Sequence, residues 1–239
     1  MQVKPEIFST ETQKVQIKKM FDSISHKYDF LNHTLSLGID KIWRKKAINS
    51  LRNIKPKRII DIATGTGDMA IEAIKLNPEK IIGIDISSGM LEIGRKKIKA
   101  KNINNIELLY GDSEKIDFAD NTFDAATVAF GVRNFENLEK GLSEIYRVLK
   151  NGGMLAILEF SKPTIFPVKQ LYNFYFNVIL PKIGNIFSKN KFAYKYLPDS
   201  VMKFPDGSNF LNIMKNCGYE NCTQKRLMFG ICTLYNGSK

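Results

Sequence analysis

The stretch that most constrains this chain is Ile59-Ile60-Asp61-Ile62-Ala63-Thr64-Gly65-Thr66-Gly67-Asp68. The apolar run is too short for a helix and two glycines end it, which predicts a buried strand, a tight turn and the start of a helix. Glycine permits positive φ and lets a ligand come close to the main chain. The next helix offers free N–H groups and the positive end of its dipole at the same point. Such a turn belongs to a doubly wound α/β sheet, with the ligand at the carboxyl ends of the strands. Asp61 is expected to point into that crevice, and Gly65, Thr66 and Gly67 to form the turn around the ligand.

The loose pattern Gly65-x-Gly67-x-x-Ala70 suits a dinucleotide equally well, so the later strand ends must discriminate. A second strand, 80–86, carries Asp85 at its end, about twenty residues after the turn, where an acid accepts both hydroxyls of a ribose. NAD and S-adenosylmethionine both have that ribose. A third strand, 106–110, runs into Gly111-Asp112-Ser113, placed to bind an adenine amino group, with a simple helix cap as the alternative. Asp61 would repel a pyrophosphate but suits a cationic ligand with no phosphate. The ordered set Asp61, Gly65, Thr66, Gly67, Asp85, Asp112 and Ser113 therefore favours S-adenosylmethionine, which has a sulfonium, an ammonium and no phosphate.

The alternation continues with a strand at 123–129, the segment Phe130-Gly131-Val132-Arg133-Asn134, and a helix with Leu138, Leu142, Ile145 and Leu149 on one face. Asn151-Gly152-Gly153 is expected to stop that helix before a fifth strand at 154–160. Strands alternating with helices predict a parallel sheet, and 220–227 with 231–235 predict an antiparallel hairpin at its edge. Ahead of the sheet, Ile17, Met20, Phe21, Ile24, Tyr28 and Leu31, then Ile39, Ile42, Trp43, Ala47 and Leu51, mark two amphipathic helices over the crevice. Residues 161–200 mix aromatic side chains, from Phe166 and Tyr172 through Phe174, Phe176, Phe187, Phe192 and Tyr194 to Tyr196, with lysines. Pro163, Pro167, Pro181 and Pro198 are expected to break them into short helices, either a packing layer or a lid for a greasy substrate. The 239 residues thus read as one domain: a helical cap at 1–54, a binding core at 55–160, a lid at 161–200 and a last helix with the hairpin at 201–239.

The net charge of +12 raises nucleic acid or an anionic membrane as partners, although the lysines are scattered. Cys217, Cys222 and Cys232 form no C-x-x-C pair, which points to a reducing compartment with neither disulfide framework nor zinc. His26 and His33 have no acidic or Cys cluster at metal spacing. The first ten residues lack the apolar core of a signal peptide, and no run reaches the ~18–20 apolar residues of a membrane span.

Several segments together resemble a known family. They are Met20 to Asp29 (MFDSISHKYD) with Asn32, Ser36, Gly38 and Trp43; the glycine turn; Phe130-Gly131-Val132-Arg133-Asn134; Tyr146 to Gly153; Leu158-Glu159-Phe160-Ser161-Lys162-Pro163; and Tyr196-Leu197-Pro198-Asp199-Ser200. The chain resembles the ubiquinone/menaquinone biosynthesis C-methyltransferases, a branch of the class I S-adenosylmethionine-dependent methyltransferases. The resemblance implies a Rossmann-like fold and methyl transfer to a ring carbon of a polyprenylated quinol. Demethylmenaquinol, a methoxy-benzoquinol precursor of ubiquinone, or both remain open as that substrate. The partners expected are the quinol, the inner face of the cell membrane and a second copy of the chain, with no nucleic acid, in the cytoplasm. Ala129 stands where some relatives carry a Ser that helps to hold the cofactor.

A quinol carbon becomes nucleophilic when a ring hydroxyl loses its proton, and a sulfonium methyl is already activated. The protein then supplies proximity and charge placement, with no metal. Arg133 is expected to stabilise the phenolate, directly or through a water, with Asn134 orienting it; the alternative is an ion pair with Glu136 or Glu159. His26, Tyr28 and Glu159 are candidate proton acceptors. Two rivals stand beside this reading: a methyltransferase of another small molecule or of RNA, and a non-enzymatic binder of membrane surfaces. The segment after the fourth strand has neither an Asn/Asp-Pro-Pro-aromatic clamp nor a Cys for RNA bases, and a mere binder would leave the crevice without a purpose.

Overall fold

The computed structural model describes residues 4–5, 9–36, 38–175 and 191–239, without side chains at 27, 30–35 and 191–195. The side chains of Leu31, Asn32, His33, Phe192 and Tyr194, and all of Phe176, Pro181 and Phe187, lie outside the described residues.

Two helices, α1 (Gln13–Leu35) and α2 (Ile39–Ser50), precede the sheet. Then come β1 (Arg58–Ile62), α3 (Asp68–Ala73), β2 (Lys80–Asp85), α4 (Ser88–Ala100), β3 (Ile106–Tyr110), β4 (Phe123–Ala129) and α5 (Leu138–Val148). The chain ends with β5 (Leu149–Phe160), α6 (Val168–Phe174), α7 (Lys191–Lys203), α8 (Ser208–Asn216), β6 (Glu220–Leu227) and β7 (Cys232–Ser238). The strands form one sheet in the order β3-β2-β1-β4-β5-β7-β6. β1 to β5 pair in parallel, while β7 lies antiparallel between β5 and β6, so the edge hairpin is as expected.

Side chains alternate across the sheet with the period of two that a strand imposes. Ile60 and Ile62 of β1 pack with Leu142, Ile145 and Phe210, under α5 and α8. Ile59 faces the other way, onto Trp43, Ala47 and Leu51 of the α2 region and Ala70 of α3. Burial on both faces explains why β1 and β2 are isoleucine-rich, broken by Asp61 in one and Gly83 in the other.

Two local expectations fail. Asn151-Gly152-Gly153 does not stop a helix: α5 ends at Val148 and β5 starts at once, with the glycines inside it. The register runs from Phe123↔Leu149 to Ala125↔Met154, so the intervening residues bulge. Gly152 takes φ 78 there, and the bulge exchanges main-chain bonds of 2.8 and 3.0 Å with Lys239. Pro198 does not break a helix but lies inside α7. Burial of Tyr196 and Val201 on that helix outweighs the lost backbone bond.

Candidate active site

The carboxyl ends of β1 to β4 open into a crevice of about 70 Å³, roofed by Lys14, Ile17, Phe21 and Tyr28 of α1. Its floor is made where β1 and β4 end. Ala63 (φ 51) and Phe130 (φ 58) both adopt the left-handed backbone region that non-glycine residues avoid, and both line the crevice. Strain of this kind is held only where the surroundings enforce it, and it gathers at functional sites. A Cβ on Gly131 would lie 2.6 Å from that of Ala63, so glycine is required for the two strand ends to approach. Gly65 takes φ 57 facing open space, which leaves the turn accessible to a ligand.

The acids divide into two layers. Asp85, Asp112 and Ser113 line the crevice itself. The Asp85 carboxylate accepts the N–H groups of Gly65 and Ser87, each at 2.8 Å. Burial pushes its pKa up to about 6, with those two amides holding it down in part. Asp61 does not project into the crevice as expected. It is 1% exposed, below the turn, and accepts the hydroxyls of Thr64 at 2.5 Å and Thr127 at 2.6 Å. Burial raises its pKa to about 6 as well, with the two hydroxyls opposing. Thr66 and Gly67 also stay out of the crevice wall. The Thr66 hydroxyl donates to Asp29 at 2.5 Å and Gly67 packs toward Leu108.

Asp29 is one of several polar latches that sequence reasoning missed. Lys97 of α4 bridges Asp29 at 2.5 Å and Asp68 at 2.6 Å, which ties α1 to the glycine turn. Asp22 accepts the Ser87 hydroxyl at 2.6 Å and the Gly89 N–H at 3.0 Å, holding α1 to the start of α4. Burial opposes ionisation of Asp22, but these bonds and Lys18 outweigh it and its pKa is lowered. Lys14 reaches Asp112 at 2.7 Å and Glu114 at 3.3 Å. The signal lay in the charged residues of the 20–29 segment, whose spacing does not reveal partners so distant in the chain.

Arg133 takes the ion-pair alternative. Its guanidinium meets Glu159 at 2.7 Å, with side chains 7% and 0% exposed, bonds the Phe130 carbonyl and lies over the Phe160 ring. It faces a second cavity of about 250 Å³, shared with Gln13, Ser200 and Phe204, and not the crevice under α1. Asn134 does line the crevice, and its Oδ1 accepts the Tyr196 hydroxyl at 3.0 Å. Of the candidate proton acceptors, Tyr28 lines the crevice and His26 is exposed. Glu159 sits beneath Arg133, its pKa raised by burial against the attraction of that cation.

The crevice therefore offers carboxylates at two successive strand ends, and among the described residues its one lining cation, Lys14, is held by acids. That donor set fits a ribose, an adenine amino group and a positively charged tail, and disfavours a pyrophosphate. Sheet order, glycine turn and acids together define a class I S-adenosylmethionine-dependent methyltransferase. In fold the chain is similar to a SAM-dependent methyltransferase of Thermotoga maritima (TM-score 0.65, 21% identity, 93% of this chain and 99% of that one). In sequence it is 51% identical over 226 residues to a demethylmenaquinone methyltransferase of Bacteroides fragilis, covering 94% of this chain and 92% of the relative. It is 45% identical over 236 residues to a ubiquinone/menaquinone biosynthesis C-methyltransferase of Geotalea daltonii, covering 98% and 100%. Residues 9–239 match the ubiE/COQ5 methyltransferase family, and the chain belongs to that family.

Proposed function

We propose that the protein methylates a ring carbon of demethylmenaquinol, and that a polyprenyl benzoquinol is the second substrate to test. The observation that carries this reading is one crevice with a nucleoside end, at Asp85 and Asp112, and an apolar acceptor end at Phe130 and Gly131. Identity to the demethylmenaquinone methyltransferase of Bacteroides fragilis supports the choice of ring. S-adenosylmethionine, when bound, supplies a methyl group already activated on a cationic sulfur. Asp85 would hold its ribose, Asp112 and Ser113 its adenine, and Gly65 its amino-acid end. Asp61, Thr66 and Gly67 would act from one layer beneath, by fixing the turn.

Asn134 is the group we assign to the acceptor oxygen. Tyr196 occupies its Oδ1, so the amide nitrogen is the end that donates to a forming phenolate. Arg133 is a positioning residue on this reading. Its bonds to Glu159 and the Phe130 carbonyl hold the strained 130–134 turn in place. The hydroxyl proton leaves through water or Tyr28, the candidate that lines the crevice, and the methylated carbon then loses its own hydrogen as a proton, which restores the aromatic ring. The tail of such a quinol resides in a bilayer, and among the described residues no helix is long and apolar enough to cross one. We place the enzyme at the membrane surface, with the described residues 161–175 and 196–200 over the tail.

The test is incubation with S-adenosylmethionine and short-tailed demethylmenaquinol, a methoxy-benzoquinol and RNA, followed by product mass. Methylation of the naphthoquinol at the ring carbon is expected. Methyl transfer to RNA alone, or to no quinol, refutes the assignment.

A further inference from the structure

Most of the large apolar side chains exposed among the described residues belong to three segments that touch one another. Ile165 and Phe166 (77% exposed) end the loop after β5, Leu171 and Phe174 stand out from α6, and Met228 and Phe229 (68% exposed) form the turn between β6 and β7. The contacts between segments are direct. Ser161 donates to the Gly230 carbonyl at 2.8 Å, and Arg226 donates to Thr164 at 3.3 Å. The Ile165 carbonyl accepts the Lys169 N–H at 2.9 Å, which joins the loop to α6.

The turn is built to expose these side chains. Met228 and Phe229 both take positive φ, 45 and 57, a conformation costly for large side chains. A glycine or asparagine would make the same turn without strain, and a core would bury the phenyl ring. Here neither holds. Exposed Lys169 and Arg226 stand beside the patch, while Lys162 is neutralised by Asp206 at 3.0 Å. The opposite face of α6 leads inward. Tyr172 is buried with Ile17 and Met20 of the cap and Tyr196 of α7, and Ile86 packs against that cluster. Ile17 and Ile86 are walls of the crevice. One short helix thus connects an apolar outer surface to the apolar side of the site.

We propose that this surface, centred on the Met228-Phe229 turn and α6, docks on an anionic lipid bilayer and passes the tailed acceptor inward along α6. The proposal rests on the reading that the acceptor carries a polyprenyl tail. Exposed aromatic and aliphatic side chains enter the head-group region while basic side chains meet anionic lipid, the arrangement by which peripheral proteins hold a membrane. The chain's net charge of +12 supports the same polarity.

The experiment is co-sedimentation of the full chain with phosphatidylglycerol/phosphatidylcholine vesicles at low salt, beside a Met228→Asn/Phe229→Asn variant. Asparagine suits positive φ, so the turn is kept. We expect the wild type to bind and the variant to partition about tenfold or more less tightly, with equal thermal stability and equal methylation of a short-tailed quinol in solution. Wild type that stays soluble, a variant that binds equally well, or a wild-type dimer that buries Phe229 overturns the docking proposal. If the wild type binds vesicles through these residues yet methylates no quinol, the substrate reading fails and the docking surface stands.

Discussion

If Asp85 holds the ribose as proposed, cofactor affinity becomes a function of pH. Its carboxylate accepts two main-chain amides at 2.8 Å, and burial raises its pKa to about 6. A ribose hydroxyl donates much more strongly to the ionised carboxylate than to the neutral acid, so tight binding favours the form that has lost its proton. Affinity for S-adenosylmethionine should be level above about pH 7 and fall below about pH 6. One unit below the pKa about a tenth of the protein is ionised, which weakens binding roughly tenfold, or about 1.4 kcal/mol. The fold's own stability runs in the opposite direction. An acid whose folded pKa lies above its unfolded value binds more protons when native, so stability falls as pH rises from about 4 to about 6 and then levels off. Asp61, also near 6, adds to that slope without facing the ligand. Asp85→Asn removes the charge but keeps the size, and should cost about 1.5–3 kcal/mol of affinity, the worth of hydrogen bonds to a charged acceptor. It should also flatten the affinity profile between about pH 5 and 7. Titration calorimetry at a series of pH values measures both. Wild-type affinity that does not change across that range, or an Asp85→Asn profile as steep as the wild type's, refutes the reasoning. In the second case Asp61→Asn identifies Asp61 as the titrating group.

Two other substitutions separate positioning from contact. Arg133→Ala leaves Glu159 buried without its cation, so it should lower melting temperature as well as methyl transfer, the latter by roughly 10²-fold. Double replacement with Glu159→Gln should recover stability if the pair is structural; unchanged stability in Arg133→Ala, seen by calorimetry, would speak for direct chemistry at the substrate. Asp29→Ala cuts the link from α1 to Thr66 and Lys97 and should speed stopped-flow release of S-adenosylmethionine by up to about fivefold, since a partly exposed pair is worth up to about 1 kcal/mol. An unchanged release rate would show that α1 does not gate the crevice.

What was legible follows from how each element is buried. A strand covered on both faces is nearly all apolar, so an acid at its end stands out, as Asp85 does after Ile81 and Ile82 and as Asp61 does between Ile60 and Ile62. The acid's direction was not legible. β1 residues alternate faces, and whether Asp61 meets the ligand or the Thr127 hydroxyl depends on the strand beside it, Asp61↔Thr127 in register. The same applies to Arg133. Glu159 was a nameable partner, but only the β4–β5 pairing brings them together. Gly152-Gly153 looked like a helix stop because a bulge and a cap use glycine for the same freedom at positive φ.

The latches of α1 also explain how a crevice of about 70 Å³ can serve a ligand that needs one of roughly 300 Å³ or more. Cap and core are joined in two ways. Ile17 and Met20 are buried against Tyr172 of α6 and Tyr196 and Val201 of α7, and would move with them. The contacts that cross the crevice are polar: the partly exposed ion pairs of Lys14 with Asp112 and of Lys97 with Asp29, and the bonds of Asp22 to Ser87 and of Asp29 to Thr66, whose hydroxyl residues are buried. Water can replace the partners of the two ion pairs when they open, so each of these costs little to break, about 1 kcal/mol or less. A seal of apolar side chains would cost about 1.5–3 kcal/mol per residue exposed. The cap can therefore lift off the acids while its apolar face stays packed on the lid. The same acids that hold it down, Asp112 directly and Asp85 through its neighbour Ser87, are those we assign to the nucleoside. Entry of the cofactor and release of the cap then involve the same carboxylates, which couples the order of binding to the closing of the site.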